Sequence, residues 1–188
     1  MEKNLSTQLQ EEKKLHSYDC ESGNPALYVG TYGKYNDGSI DGMWVDMTTF
    51  SDEEEFFDFC RLLHHDEEDP EFMFQDYENM PYELYNECLC SDEIEEIIAF
   101  ANESDEHREV MEAYISHYGW HNQTWKDVEQ QYHGKWDTEE DFADHIFDEL
   151  YSYEMSDFAR RYFDMDAFAR DLFMDEYTFV DGHVFSEY

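Results

Sequence analysis

Apolar positions recur along this chain in two different periods. Ala26 to Tyr32 (ALYVGTY) and Gly42 to Asp46 (GMWVD) are short β-branched and aromatic runs, which predicts two strands. Asn36-Asp37-Gly38 lies between them with turn chemistry, so the pair is expected to form a β-hairpin. From Ser51 the period changes. Phe56, Phe59, Cys60 and Leu63 recur at helical spacing, and Ser51 with Glu54 fits a capping box. Asp69-Pro70 ends that region and Phe72-Met73-Phe74 predicts a further strand, giving a β-β-α-β unit to about Tyr85. Ser91 can then cap a helix with Ile94, Ile97, Ile98 and Ala101 on one stripe. Val110, Met111, Tyr114 and Ile115 form a second stripe, and Thr124 can cap a short helix holding Trp125, Val128 and Tyr132. Thr138 with Asp141 marks another start, with Phe142, Ile146 and Leu150 facing inward. Ser156 and Asp166 to Phe173 carry more helical pattern. Tyr177 to Phe185 (YTFVDGHVF) reads as a strand or a hairpin turning at Asp181-Gly182.

These runs give an α+β chain of three small domains: an α+β domain at 25–85, a helical one at 86–134 and an α+β one at 135–188. Residues 1–24 are polar, with Tyr18 as the only aromatic, and Ser22-Gly23-Asn24-Pro25 breaks the chain at their end. They are expected to be a flexible or loosely helical extension. No apolar run approaches the length of a membrane span, and no export signal is visible. Cys20, Cys60, Cys88 and Cys90 form no disulfide framework, so a cytoplasmic protein with reduced thiols is expected, with Cys60 in the core.

Charge changes the picture. Of 188 residues, 49 are Asp or Glu and 11 are Lys or Arg, a net charge of -38, while 18% are aromatic. Acid with few aromatics would mean disorder, but here a folded body carries a surface of nearly one sign. Between Asp37 and Glu106 there are 24 acidic residues against one basic residue, Arg61, so the acid is spread over several elements. Candidate partner-binding carboxylates are Asp52, Glu53, Glu55 and Asp58 on the first helix and Asp66, Glu67, Glu68 and Asp69 after it. Asp76 and Glu78 on the strand join them, with Asp92, Glu93 and Glu96 on the next helix. Asp137, Asp141, Asp144 and Asp148 follow at steps of four, three and four, which places them on one helix face.

Such a surface repels DNA, RNA and anionic membranes within a Debye length of about 8 Å, so its partner is basic. Duplex DNA carries one charge per ~1.7 Å of axis, so 38 charges equal ~65 Å of duplex, or ~19 base pairs. Other chemistry finds little support. Asp37-x-Ser39-x-Asp41-Gly42 resembles the start of a calcium loop but has Thr48 where the bidentate Glu belongs. Asp164-x-Asp166 departs further from that pattern. His117 and His121 flank Gly119 with no zinc motif, and Cys88 with Cys90 has no partner spacing. A carboxylate-bound Mg²⁺ nuclease would repel its own substrate. No catalytic motif, cofactor site or metal site is expected, and the chain is not read as an enzyme.

Three blocks carry a resemblance: ALYVGTYGKYNDGSIDGM (Ala26 to Met43, then Trp44 and Asp46), FCRLLHHDEEDPEFMFQDYENMP (Phe59 to Pro81) and YFDMDAFARDLFMDEYTFVDGHVF (Tyr162 to Phe185). With these the chain resembles the ArdA family of antirestriction proteins of mobile genetic elements. The resemblance implies a DNA mimic that fills the DNA-binding groove of type I restriction–modification enzymes. It also implies an elongated homodimer of three-domain chains without cofactor, joined through the C-terminal unit. It places the family's antirestriction motif at about Tyr151 to Asp164, with Tyr162, Phe163 and Asp164 matching its end. The Leu-rich start is not matched, Arg160-Arg161 lies inside the stretch, and residues 1–24 fall outside the blocks. Composition alone also admits a solvated acidic surface kept for solubility, an acidic binding module or chaperone for a basic DNA-associated protein, or a low-affinity calcium buffer.

Overall fold

The computed structural model describes residues 2–151, 153 and 155–187. The fold is α+β, and the chain divides into two compact units: Met1–Arg108 with Trp120–Asn122, and Glu109–Gly119 with Gln123–Tyr188. Among the described residues no helix is long and apolar enough to cross a membrane.

The N-terminal unit opens with helix α1 (Glu2–Leu15) and strand β1 (Ala26–Thr31). Helix α2 (Tyr32–Asn36) leads to β2 (Met43–Asp46), followed by α3 (Glu53–Leu63) and β3 (Phe72–Glu78). The three strands form an antiparallel sheet in the order β2-β1-β3. β1 is the central strand, and Ala26, Leu27 and Val29 are wholly buried. Leu27 faces Val45 and Val29 faces Met43, so the two strands expected of the hairpin do pair. Their connection differs from expectation. Thr31 caps α2 by accepting from the Lys34 N–H at 3.2 Å, and Gly38 at φ 81° follows its last turn. Asn36-Asp37-Gly38 therefore ends a helix and does not close a tight turn. Gly42 is required on re-entry, because a Cβ there would lie 2.4 Å from the Val29 carbonyl oxygen.

Helix α3 buries Phe56, Phe59, Cys60 and Leu63, as its periodicity predicts. Burial pushes the Cys60 thiol pKa far up, so it is an inert core group. The cap lies one residue later than expected. Asp52 accepts from the Glu55 N–H at 2.8 Å, and the Ser51 N–H and hydroxyl both donate to the Glu55 carboxylate. Phe50 sits at the centre of this core, 4.1 Å from His16, 5.3 Å from Phe56 and 5.9 Å from Phe59 between ring centroids. Helix α4 (Ser91–Ala101) buries Ile94, Ile97, Ile98 and Ala101. Ser91 is its first residue, and the preceding Cys90 N–H donates to Glu93.

The segment expected to be a flexible or loosely helical extension is helical over Glu2–Leu15, and the residues after it, against expectation, are tied to the sheet. The His16 carbonyl accepts from the Asp46 N–H, and the Tyr18 N–H donates to the Trp44 carbonyl. His16 is buried at 2% exposure. Its polar neighbours carry no apolar signal, so composition did not reveal this attachment.

Helix α5 (Asp105–Tyr118) gives its first turn to the N-terminal unit and buries Val110, Met111, Tyr114 and Ile115 in the C-terminal one. Then come α6 (Trp125–Glu129), β4 (Tyr132–Lys135), α7 (Glu139–Leu150) and α8 (Asp157–Arg160). Helix α9 (Met165–Asp175) precedes β5 (Tyr177–Val180) and β6 (His183–Ser186), and the sheet order is β4-β6-β5. Thr124, Thr138 and Ser156 cap their helices as expected. The hairpin of β5 and β6 also matches, turning through Asp181 at φ 50° and Gly182 at φ 88°. Two readings are corrected. Tyr132 does not end α6 but begins β4, where its ring packs on Phe185. Leu150 is 50% exposed, and Ala143 and Phe147 take the inward positions beside Phe142.

Truncating Phe50 to Ala should cost about 3–5 kcal/mol in urea unfolding. Burial and the neighbouring Lys34 ammonium lower the pKa of His64, and burial lowers that of His16 against the pull of Glu12. Unfolded imidazoles take protons below about pH 6.5 that these folded ones refuse, so the unfolded state then binds more protons. Stability is full above that pH and falls as the pH drops toward the folded values. His64→Gln should flatten the fall in urea midpoint between about pH 7.5 and 5.5, and an unchanged slope would contradict this assignment.

Candidate functional site

The candidate carboxylates sit on the polar faces of the same helices whose apolar stripes fill the cores. Of the seventeen, Glu53, Glu67, Glu93 and Glu96 are half-buried and the others are exposed. Several also hold the fold together. Asp52 and Glu55 close the start of α3 and Glu93 closes that of α4. Glu96 accepts from the Trp120 indole N–H, Glu78 from the Tyr18 hydroxyl at 2.7 Å, and Asp58 from Arg61 at 2.6 Å. Asp76 accepts from the Tyr77 N–H at 2.9 Å. Hydrogen bonds from Ser51 hold the Glu55 carboxyl below its usual pKa. Glu68, Asp69 and Asp92 are exposed with no ion pair or side-chain hydrogen bond among the described residues.

One cluster looks like a cation site and already contains a cation. His64, Asp66 and Glu67 offer ligand atoms within 4.8 Å of one another. The Lys34 ammonium donates to His64 Nδ1 at 3.1 Å and to Asp66 at 3.0 Å, with Asp41 at 3.5 Å and Glu67 at 4.0 Å. Burial opposes the charge on Lys34, but Asp66 and Asp41 outweigh it and raise its pKa. The Lys34 hydrogen bond lowers that of Asp66. The residues thus suit an ammonium, and they supply no open coordination position for a metal. Sequence spacing does not show this, because Lys34 is some thirty residues from His64, Asp66 and Glu67. A cleft of about 570 Å³ between α1 and α3 is likewise lined by Glu12, Asp52, Glu54, Glu55 and Asp58 over Phe59 and Leu62.

In the C-terminal unit, Asp141, Asp144 and Asp148 lie exposed on α7. Asp137 is exposed but precedes the Thr138 cap, so the expected four-residue helical row is a row of three. Asp141 accepts from the Thr138 hydroxyl at 2.8 Å and Asp148 pairs with Arg160, while Asp144 projects freely. The motif-end residues separate. Tyr162 is 77% exposed. Phe163 turns inward, 4.6 Å from Phe147 and 5.6 Å from Phe168. Asp164 caps α9 through the Ala167 N–H at 3.0 Å. Ser152 and Glu154, within the same motif stretch, lie outside the described residues. Sequence reasoning missed two further exposed aromatics of this stretch: Tyr153 at 77% and Phe158 at 71%, the latter 5.1 Å from the Tyr162 ring.

Six of the eleven cations are paired with carboxylates, Lys34 and Arg108 mostly buried and the other four at the surface. Lys34, Arg61, Arg108, Lys135, Arg160 and Arg170 each lie within 4.0 Å of a carboxylate. The charge that faces solvent is mostly negative, and it works against compaction. Raising ionic strength from about 0.01 M to 0.15 M shortens the Debye length from about 30 Å to 8 Å and should raise the thermal midpoint. A midpoint that fell with added salt would mean that attractive pairs dominate.

No curated protein matches the chain. A family model described as antirestriction protein (ArdA) matches residues 27–186, from β1 through β6. That span includes both sheets and every carboxylate discussed above except Glu12, and by it the chain belongs to the ArdA family of antirestriction proteins.

Proposed function

We propose that the chain is a DNA mimic that fills the DNA-binding groove of type I restriction–modification enzymes and so protects incoming mobile DNA. The observation that carries the reading is the excess of acid on the exposed surface: carboxylates such as Glu68, Asp69, Asp92 and Asp144 stand outside without a partner among the described residues, and six of the eleven cations are paired with carboxylates. Family membership supplies the antirestriction role and restriction enzymes as the target. Carboxylates stand in for phosphates and meet the Lys and Arg of the groove. Binding is then fast, because charge steers the encounter, and salt-sensitive, because the partner's counterions are released.

The proposed assembly is a homodimer through the C-terminal unit. Phe158 and Tyr162 are both exposed with ring centroids 5.1 Å apart, an aromatic pair that supports that contact. An aromatic pair lets two such acidic chains meet without bringing carboxylates face to face.

Titrating the chain into a purified type I enzyme with labelled cognate DNA should displace the DNA competitively, and less well as salt rises. Single Asp→Asn changes at Asp69, Asp92 or Asp144 should shift inhibition by less than about threefold, and the triple change by much more, since many charges share the contact. Binding to a basic nucleoid protein without displacement of DNA would favour the chaperone reading. Phe158→Asp with Tyr162→Asp should halve the solution mass measured by light scattering, and an unchanged mass would place the dimer contact elsewhere.

A further inference from the structure

The N-terminal segment precedes the family match, which begins at residue 27, yet it completes the first sheet. β2 is an outer strand, so one side of its backbone lacks a partner within the three-stranded sheet. Residues 16–18 take that side. The Asp46 N–H donates to the His16 carbonyl at 3.0 Å and the Tyr18 N–H donates to the Trp44 carbonyl at 3.3 Å. These bonds flank the pair Ser17 and Val45, the pattern of an antiparallel ladder.

Both ends of this short strand are anchored. The His16 ring lies parallel to Phe50 at 4.1 Å and 10°, and its Nδ1 is 2.8 Å from the Thr49 hydroxyl. Tyr18 packs on Trp44 at 5.9 Å, donates to Glu78 at 2.7 Å and accepts from the Asn79 amide at 2.8 Å. Behind it, Asn79 also holds the Asn24 carbonyl at 3.0 Å, and the Asn24 amide reaches Asp46 at 2.8 Å.

We propose that residues 16–18 are a strap that occupies in cis a strand-docking edge of the N-terminal sheet, which otherwise pairs with the same edge of a second copy of the chain. An open edge is a template for pairing with another strand. Self-association is opposed almost everywhere on a chain of net charge -38. The edge is the exception: from Gly42 to Ser51 (GMWVDMTTFS) the only charged residue is Asp46. Two such edges paired antiparallel would form a two-fold symmetric contact. The strap wins because it is tethered to its site through residues 19–25, so its effective concentration exceeds that of any second copy.

The test uses full-length protein carrying His16→Asp and Tyr18→Pro, in a Phe158→Asp and Tyr162→Asp background that is also measured alone. The Asp places a carboxylate against Phe50 and Phe59, and the Pro removes the N–H that Trp44 receives. Amide exchange at Asp46 and light-scattering mass are followed against protein concentration. At low concentration the Asp46 amide should exchange at least about tenfold faster than in the background. As concentration rises, the mass should double relative to the background and the amide should become protected again. Free exchange with no gain in mass overturns the proposal, and so does an Asp46 amide that stays protected at low concentration. His16→Ala, which removes the stacked ring and leaves the backbone carbonyl that accepts from Asp46, gives the same two readings if the double change unfolds the protein. Because mass is compared with the background, failure here is distinct from failure of the C-terminal dimer contact.

Discussion

Thirty-eight uncompensated negative charges on one chain repel one another, and the rest of the structure has to hold against that repulsion. The chain meets it with large rings. Phe50, Phe56, Phe74, Phe100, Phe142, Phe147 and Phe185 are each no more than 2% exposed. A few such side chains remove much apolar area from water at few positions, which leaves the remaining positions free to be acidic. Edge-on contacts such as Phe50 with Phe56 and Phe142 with Tyr177 add geometric preference to that burial.

Where the acid is placed also limits its cost. Asp52, Glu93, Asp127, Asp141 and Asp164 stand at or just inside helix starts, where unsatisfied N–H groups and the positive end of the helix dipole favour a carboxylate. At Asp127 bonds from Thr124 lower the pKa directly. The scarce cations do complementary work. Lys34 joins the loop after α2 to the loop after α3, and Lys135 with His183 holds Glu109 of α5 against the C-terminal sheet. The negative exterior and the folded interior are therefore linked through the same side chains.

The elements with a strong apolar period could be read in the sequence. Phe56, Phe59, Cys60 and Leu63 on α3, the isoleucines of α4 and the turn at Asp181-Gly182 all lie where their spacing places them. What could not be read depends on distant partners. β4 is four residues of mixed polarity around Gly134, and only pairing with β6 makes it a strand. Helix α2 replaces a turn because Thr31 and Gly38 supply its two ends. The seating of residues 16–18 rests on one imidazole between two phenylalanines, which no periodicity announces. For the candidate surface, exposure was legible at Asp69, Asp92 and Asp144. The structural duties of Glu67 and Glu96 were not, since Thr31 and Trp120 are remote in sequence.

Helix caps of this kind give the acidic surface an unusual chemical property. Asn caps a helix about as well as Asp, because the oxygen that accepts the backbone N–H is present in both. At Asp52 and Asp164 that oxygen is the one facing Glu55 and Ala167. Exchanging the other carboxylate oxygen for an amide nitrogen erases one negative charge and leaves the helix start in place. Framework and charge can thus drift independently at these positions, so a lineage could retune its surface charge without rebuilding the protein that carries it.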